Sequence, residues 1–275
     1  MGILAARLSR VHPDAKVATD VQIGKECVIG PDVEIGRGTQ VLGRVCLTGT
    51  VRIGEFNRIG PFVAIGGEPQ DLSYWGSATQ VEIGDHNTIG ERVTINRGSE
   101  KEDGVTRLGS YNNLLSGSHV AHDCKLADRI TIGPLSMIGG HVHIESDAHI
   151  SEKVGVHQFS TVGCNSYIGG QSKVTQDVPC YMRVDGHPAR VRGINGRALR
   201  KSGLTGKSRA ALRTAHQLIF IARMTLGQAT EILEMHDQLS MEVLYLLRFL
   251  ESQNQGYMGR ARERRRTFDR EIRNR

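Results

Sequence analysis

The amino-acid sequence predicts an all-β parallel β-helix of six-residue repeats, followed by a small α-helical C-terminal domain. Three observations carry this. Aliphatic residues recur every six positions through the first two thirds of the chain. Glycine often follows them, and a slim residue stands four positions later. Beyond Pro188 the apolar spacing turns helical.

The hexads start at Val11 and run through Ile23, Ile35, Leu47 and Ile59 to Ile65. A helical face repeats near every 3.6 residues, so a period of six fits a short strand and a tight bend instead. The aliphatic side chain points inward. By strand alternation so does the slim one, as at Cys27, Thr39, Ser136, Ala148 and Ser160. Glycine at the bend, as in Ile23-Gly24 and Ile29-Gly30, opens backbone angles closed to other residues. Three hexads make a coil of about 18 residues, and stacked coils bury a core that no single coil could bury.

Between Ile65 and Ile83 the period survives but the aliphatic signal is lost, with Asp71 and Ser77 at the expected positions. Hexads return at Ile83, Ile89 and Ile95; the register then slips by one before Leu108, across Gly98–Gly104. These stretches, near 66–82 and 97–107, read as loops thrown out from the coil, where function tends to sit. The hexads then continue from Leu108 to Val174. From Ser208 to Glu251 the apolar residues follow helical spacing, and Thr225 ahead of Gln228 forms a capping-box pattern. The chain therefore divides into a β-helix over 1–190 and a helical domain over 191–275, with a basic tail from 260.

Composition agrees. Aromatics make up 5% of the 275 residues while glycine reaches 33, which suits a repetitive fold with tight turns. No run approaches the apolar length of a membrane span, so no stable membrane insertion is expected. The apolar start, Ile3 to Ala6, is too short for a signal peptide, and Ala6 breaks the myristoylation pattern after Gly2. The five cysteines form no C-x-x-C pair, which suits reduced thiols and a cytoplasmic location. From Arg260 to Arg275, eight arginines face only Glu263, Asp269 and Glu271, so nearly all of the net +6 lies there. The body is close to neutral, which argues against nucleic acid as a partner. The tail itself reads as a solvated terminus.

Candidate chemistry lies in a histidine column. His122 and His141 are 19 residues apart, and His141 and His157 are 16 apart, both close to one coil. Stacked coils lie about 4.8 Å apart, so these imidazoles should line one edge. His119 and His157 flank inward aliphatic residues and should point outward. Imidazole titrates near neutrality and can take a proton from a hydroxyl, and Asp123 follows His122 as an orienting carboxylate. Zinc binding by three histidines remains open as an alternative. There is no phosphate loop, H-E-x-x-H helix or G-x-S-x-G elbow.

The runs His119-Val120-Ala121-His122-Asp123-Cys124, Gly140-His141-Val142, Val156-His157-Gln158-Phe159 and Gln176-Asp177-Val178-Pro179 resemble the UDP-N-acetylglucosamine 3-O-acyltransferases. Gln70-Asp71-Leu72 and Gly193-Ile194-Asn195 agree. These enzymes belong to the hexapeptide-repeat superfamily and begin lipid A synthesis. The resemblance implies a left-handed helix, a homotrimer with sites between subunits, acyl carrier protein as acyl donor, a UDP-sugar acceptor and no cofactor. It implies His122 as general base and the Gly140 N–H as oxyanion donor. Asp71, His119, His141 and Gln158 would position the sugar, with His157 lining the cleft. Asn195 and Lys201 would approach the uridine diphosphate, and Gly170 would leave room for a long acyl chain. The zinc carbonic anhydrases of the same superfamily carry a histidine pair five apart, whereas His119 and His122 are three apart. Ser73 stands where the family commonly has lysine, Asn96 replaces its histidine, Arg197 a glutamate and Lys201 an arginine. Those departures leave open a different UDP-sugar, such as one with a 3-amino group. A scaffold that binds a nucleotide sugar without turnover also stays open.

Overall fold

The computed structural model describes residues 9–266. The sequence readings at Gly2 and Ala6, and the arginines beyond Arg266, lie outside the described residues.

Three sheets of nine, eight and ten strands, parallel except for the last strand of the third, form three faces of a prism. Within each sheet, neighbouring strands of the helix are three strands apart in chain order up to the closing hairpin, because each coil gives one strand to each face. The fold is a left-handed parallel β-helix. Its core is the column of hexad residues: Ile29, Leu47, Ile65, Ile95, Val120 and Ile138 are at most 2% exposed. The slim positions Cys27, Thr39, Ser136, Ala148 and Ser160 are buried too. The first coil differs. Val11 is 42% exposed and Val17 and Ile23 are half-buried, since they end the stack among the described residues.

The bends form columns of left-handed backbone. Arg44, Phe62 and Arg92 make one, and Phe56, His86 and Tyr111 another, all with φ between 53° and 60°. Such angles are uncommon outside glycine. At Gly38 and Gly117, φ of 66° and 69°, glycine takes the same corner position. Charged residues 18 positions apart pair between coils, as Lys16 with Glu34, Arg37 with Glu55 and Arg129 with Asp147. Exposed pairs of this kind stabilise little. A buried ladder of Asn57, Asn87 and Asn112 escaped the hexad pattern. Asn57 Oδ1 accepts the backbone N–H of Asn87 at 2.8 Å, and Asn87 Oδ1 accepts that of Asn112 at 2.8 Å.

The first loop leaves after Ala64–Gly67 and returns at Gln80–Ile83; the second spans the gap between Thr94–Asn96 and Val105–Leu108. At the C-terminal end, Met182–Gly186 joins the third sheet and Ala189–Ile194 folds back antiparallel to it. Position 190 therefore falls inside the closing hairpin. Helices α1 (Gly196–Lys201), α2 (Gly206–His216), α3 (Leu226–Met235) and α4 (Met241–Gln255) follow. The Thr225–Gln228 capping box starts α3. Leu199, Leu212, Leu233, Val243 and Leu246 pack with Cys180 and Met182 of the last coil.

The tail departs from its sequence reading. Its start is not solvated: Arg260 and Glu263 are each 5% exposed and paired with one another. A basic run carries no periodic signal, so its docking is invisible in sequence.

Candidate active site

Three bends between the first and second sheets build the site. One follows His119–Val120, the next Met137–Ile138, the third Gly155–Val156. Asp123, His141 and Phe159 occupy one column of left-handed backbone, at φ 60°, 61° and 64°. The spacing of 19 between His122 and His141 exceeds the 18-residue coil by one. His122 therefore stands in the neighbouring column, opposite Gly140. The His122 and His141 rings meet edge to face with centroids 5.1 Å apart, and His141 stacks on Phe159 at 4.4 Å.

His122 Nδ1 lies 2.8 Å from Asp123 Oδ2. A carboxylate only accepts, so Nδ1 carries a proton, and in the neutral ring Nε2 is the acceptor. Asp123 is fully buried and fixed from the other side: Ser99 donates its N–H to Oδ1 at 2.9 Å and its hydroxyl to Oδ2 at 2.6 Å. Burial pushes the Asp123 carboxyl up, but the bonds from His122 and Ser99 outweigh it and hold it below its ordinary value. It stays an anion behind the imidazole.

Gly140 is buried against His122. A Cβ there would sit 2.7 Å from His122 Cε1 and Nε2, so only glycine admits the ring at this distance. Its amide N–H has no acceptor among the described residues. His119 is 9% exposed, covered more than its outward direction suggests, and its Nδ1 lies 2.7 Å from Thr94 Oγ1. Burial, then the charge of His122, holds His119 below its ordinary value. His157 and Gln158 border the same corner, half-buried. His157 Nδ1 donates to the Gln158 carbonyl at 2.9 Å.

The first loop brings Asp71 to this corner. Polar atoms of Asp71, His122 and His141 lie within 4.8 Å of one another. Lys101 Nζ stands 2.8 Å from Asp71 Oδ2, and Ser73 donates its N–H and hydroxyl to Oδ1 at 3.0 and 2.9 Å. Burial raises the Asp71 carboxyl, yet Lys101 and Ser73 outweigh it and bring it down to about 2. This trio is not the three-histidine set considered for zinc. Asp71 is held by Lys101 and Ser73, and His122 Nδ1 by Asp123, which suits a hydrogen-bonded cluster better than a ligand set.

The second loop, to whose residues the sequence assigned no site role, holds the site residue by residue. Ser99 grips Asp123, Glu100 accepts the N–H groups of Trp75 and Ser77 in the first loop, and Lys101 grips Asp71. Glu102 Oε1 lies 3.3 Å from His141 Nδ1, close enough for charge attraction but poorly aligned for a full hydrogen bond. Arg97 reaches the Gly66 carbonyl and the Tyr74 hydroxyl, fixing the base of the first loop. A run of charges in a loop reads as solvated surface, so no sequence signal marked these residues.

Asn195 and Lys201 lie elsewhere. Asn195 caps α1, accepting the Ala198 N–H at 3.2 Å, and Lys201 sits in its last turn. With Arg129, His149, Tyr167 and Arg197 they line an open cleft of about 670 Å³ on the third sheet. The whole second sheet separates that cleft from the histidine corner. A six-residue hexad spans on the order of 15–20 Å. Gly170 lies at another bend, where a Cβ would come 2.3 Å from the Glu152 carboxylate. Within one chain the structure thus joins His119, His122, Asp123, Gly140, His141, His157, Gln158, Asp71 and Ser73, and leaves Asn195, Lys201 and Gly170 apart.

The family model of UDP-N-acetylglucosamine O-acyltransferase domain 2 matches residues 177–258. The acyl-[acyl-carrier-protein]–UDP-N-acetylglucosamine O-acyltransferase of Thermodesulfovibrio yellowstonii is 37% identical, covering 90% of this chain and 95% of its own. That of Syntrophobacter fumaroxidans is also 37% identical, over 90% of this chain and 98% of its own. The solved UDP-N-acetylglucosamine acyltransferase of Bacteroides fragilis superposes with a TM-score of 0.85 at 33% identity, covering 89% of this chain and 95% of that one. The matches cover 90% of this chain and so take in both the β-helix and the helical domain, and the chain belongs to the family of acyl-[acyl-carrier-protein]–UDP-N-acetylglucosamine O-acyltransferases.

Proposed function

We propose that this enzyme moves a 3-hydroxyacyl group from the thioester of acyl carrier protein to the 3-hydroxyl of UDP-N-acetylglucosamine, with His122 as general base. One observation carries the reading. The His122 ring is held by the buried Asp123 carboxylate at 2.8 Å, and its other nitrogen is packed against the buried Gly140, whose amide N–H has no other acceptor among the described residues. That arrangement offers a base and an oxyanion donor side by side.

The chemistry then follows. His122 Nε2 takes the proton of the sugar hydroxyl as its oxygen attacks the thioester carbonyl. Asp123 stabilises the imidazolium that forms. The tetrahedral oxyanion accepts the Gly140 N–H. Collapse expels the carrier thiolate, which takes the proton back from His122. Asp71, His119, His141 and Gln158 position the sugar, and His157 lines the cleft. The Asn195–Lys201 cleft takes the uridine diphosphate, and the bend at Gly170 borders the acyl chain.

One chain presents the base and the nucleotide cleft on different faces. A homotrimer, in which a neighbouring copy brings its cleft to this corner, reunites them. The enzyme acts in the cytoplasm, at the start of lipid A synthesis. Two departures from the family are used inside the loops. The Asn96 side chain donates to the Glu68 carbonyl, and Ser73 to Asp71. Neither argues for another sugar.

The test is turnover with 3-hydroxyacyl carrier-protein thioesters and two acceptors, UDP-N-acetylglucosamine and its 3-amino analogue, beside His122→Ala. Product with the hydroxyl sugar, lost in the variant, is the expected result. Turnover of the amino sugar alone overturns the acceptor, and an active His122→Ala overturns the mechanism.

A further inference from the structure

The C-terminal segment after α4 returns to the β-helix at the histidine corner. The Asp177 carboxylate accepts the Ala261 N–H at 2.8 Å, the Asp177 N–H donates to the Gly259 carbonyl at 2.8 Å, and Gln253 donates to the Asp177 carbonyl at 2.8 Å. Arg260 donates to the Thr175 carbonyl and pairs with Glu263, all but buried. Three bonds from this short turn to the last coil, through Gly259, Arg260 and Ala261, fix its position, so the residue between Ala261 and Glu263 is aimed rather than free to wander.

That residue is Arg262. It donates to the backbone carbonyl of His141, and its other terminal nitrogen lies 2.6 Å from Glu102 Oε1. The two side chains are 14% and 19% exposed. The same Glu102 oxygen is the one 3.3 Å from His141 Nδ1, and His141 Nε2 lies 3.7 Å from Asp123 Oδ2. Burial pushes the Glu102 carboxyl up, while His141 and Arg262 outweigh it and hold it below its ordinary value. One guanidinium therefore touches both the backbone of His141 and the carboxylate that faces its ring. A partly buried charge pair of this geometry is stronger and better directed than a surface pair.

The geometry points to Arg262 as a positioning residue of the acyltransfer site. It fixes the bend that carries His141, and it holds Glu102 so that the second loop keeps Lys101 on Asp71 and Ser99 on Asp123. The C-terminal turn is thus part of the site. It acts on acceptor binding, since the group it aims is His141. This rests on the reading of His141 as a sugar contact.

Steady-state kinetics of the full-length enzyme test it, with Arg262→Ala, Arg262→Lys, Glu102→Gln, the Arg262→Ala/Glu102→Gln double variant, and His141→Ala. Thermal melts check that each variant is folded; Glu102→Gln, nearly isosteric, serves if Arg262→Ala does not fold. Arg262→Ala is expected to raise KM for the UDP-sugar about tenfold with KM for the acyl donor unchanged. Arg262→Lys, which reaches one of the two acceptors, restores part of it. The double variant is no worse than the worse single one, because both substitutions break the same contact. Wild-type KM in folded Arg262→Ala and Glu102→Gln, equal rises in KM for both substrates, or additive losses in the double variant each overturn the proposal. If His141→Ala leaves KM untouched while the Arg262–Glu102 coupling persists, the role of His141 is what fails, and the clamp stands.

Discussion

Gly140→Ala is the sharpest probe of the site. The added methyl would sit 2.7 Å from His122 Cε1 and Nε2, against an ordinary contact of 3.4 Å or more. The ring must yield by about 0.7 Å, the difference between those two distances. It has little room, because Asp123 holds Nδ1 at 2.8 Å and Ser99 holds Asp123. A shift of that size along the bond would stretch it to about 3.5 Å, outside the 2.7–3.2 Å of a good N–H···O bond. The proposed base, His122, would lose its orienting partner, and the proposed oxyanion donor at Gly140 would move relative to it. A misplacement near 1 Å costs about 100-fold, or about 2.7 kcal/mol of barrier. The bend itself tolerates alanine, since the Gly140 backbone is not left-handed. Overpacking should therefore cost about 1–3 kcal/mol of stability at most. The assay is steady-state release of carrier thiol at saturating UDP-N-acetylglucosamine, with a thermal melt of the same sample. The expected outcome is a folded protein with kcat down about 100-fold and KM little changed. A kcat within twofold of wild type would refute the packing of His122 against Gly140 as a catalytic requirement.

Asp71, brought down to about 2 from an ordinary 3.8, contributes stability that is fully present above 3.8 and lost as pH falls through 2. Asp71→Asn should lower the melting temperature at pH 6 and leave it near wild type at pH 2; an equal drop at both pH values would count against the Lys101 and Ser73 contacts. Chelation with EDTA should leave turnover unchanged, because Asp71 and His122 are already held by Lys101, Ser73 and Asp123; loss of activity restored by zinc would revive the metal reading. Ile138 is fully buried in the hexad column, so Ile138→Ala should cost about 2–5 kcal/mol in denaturant unfolding. Thr225→Ala, removing the capping box of α3, should cost about 1 kcal/mol; no measurable change would mean the helix end is held by packing alone.

The β-helix was legible because its rule is local and repeats. Each hexad places one aliphatic and one slim residue inward, so Ile29, Ile65, Val120 and Ile138 announce the core without knowledge of any distant partner. The same arithmetic of 18 brought His122, His141 and His157 to one edge, and the one-residue excess between the first two explains why His122 meets Gly140. Adjacent residues were legible too, since Asp123 follows His122 and needs only a bend to reach its ring. The two loops and the C-terminal turn follow no period. Their partners are chosen by where the chain happens to be carried: Lys101 is brought to Asp71, and Arg262 meets Glu102 from 160 positions away. A charge in a loop reads alike in sequence whether it is solvated or buried against an opposite charge. The sequence by itself determined the coil, its core and the pairing of His122 with the Asp123 carboxylate. Only the tertiary structure decided which charges close around them, because those pairings are set by packing between segments that share no local rule.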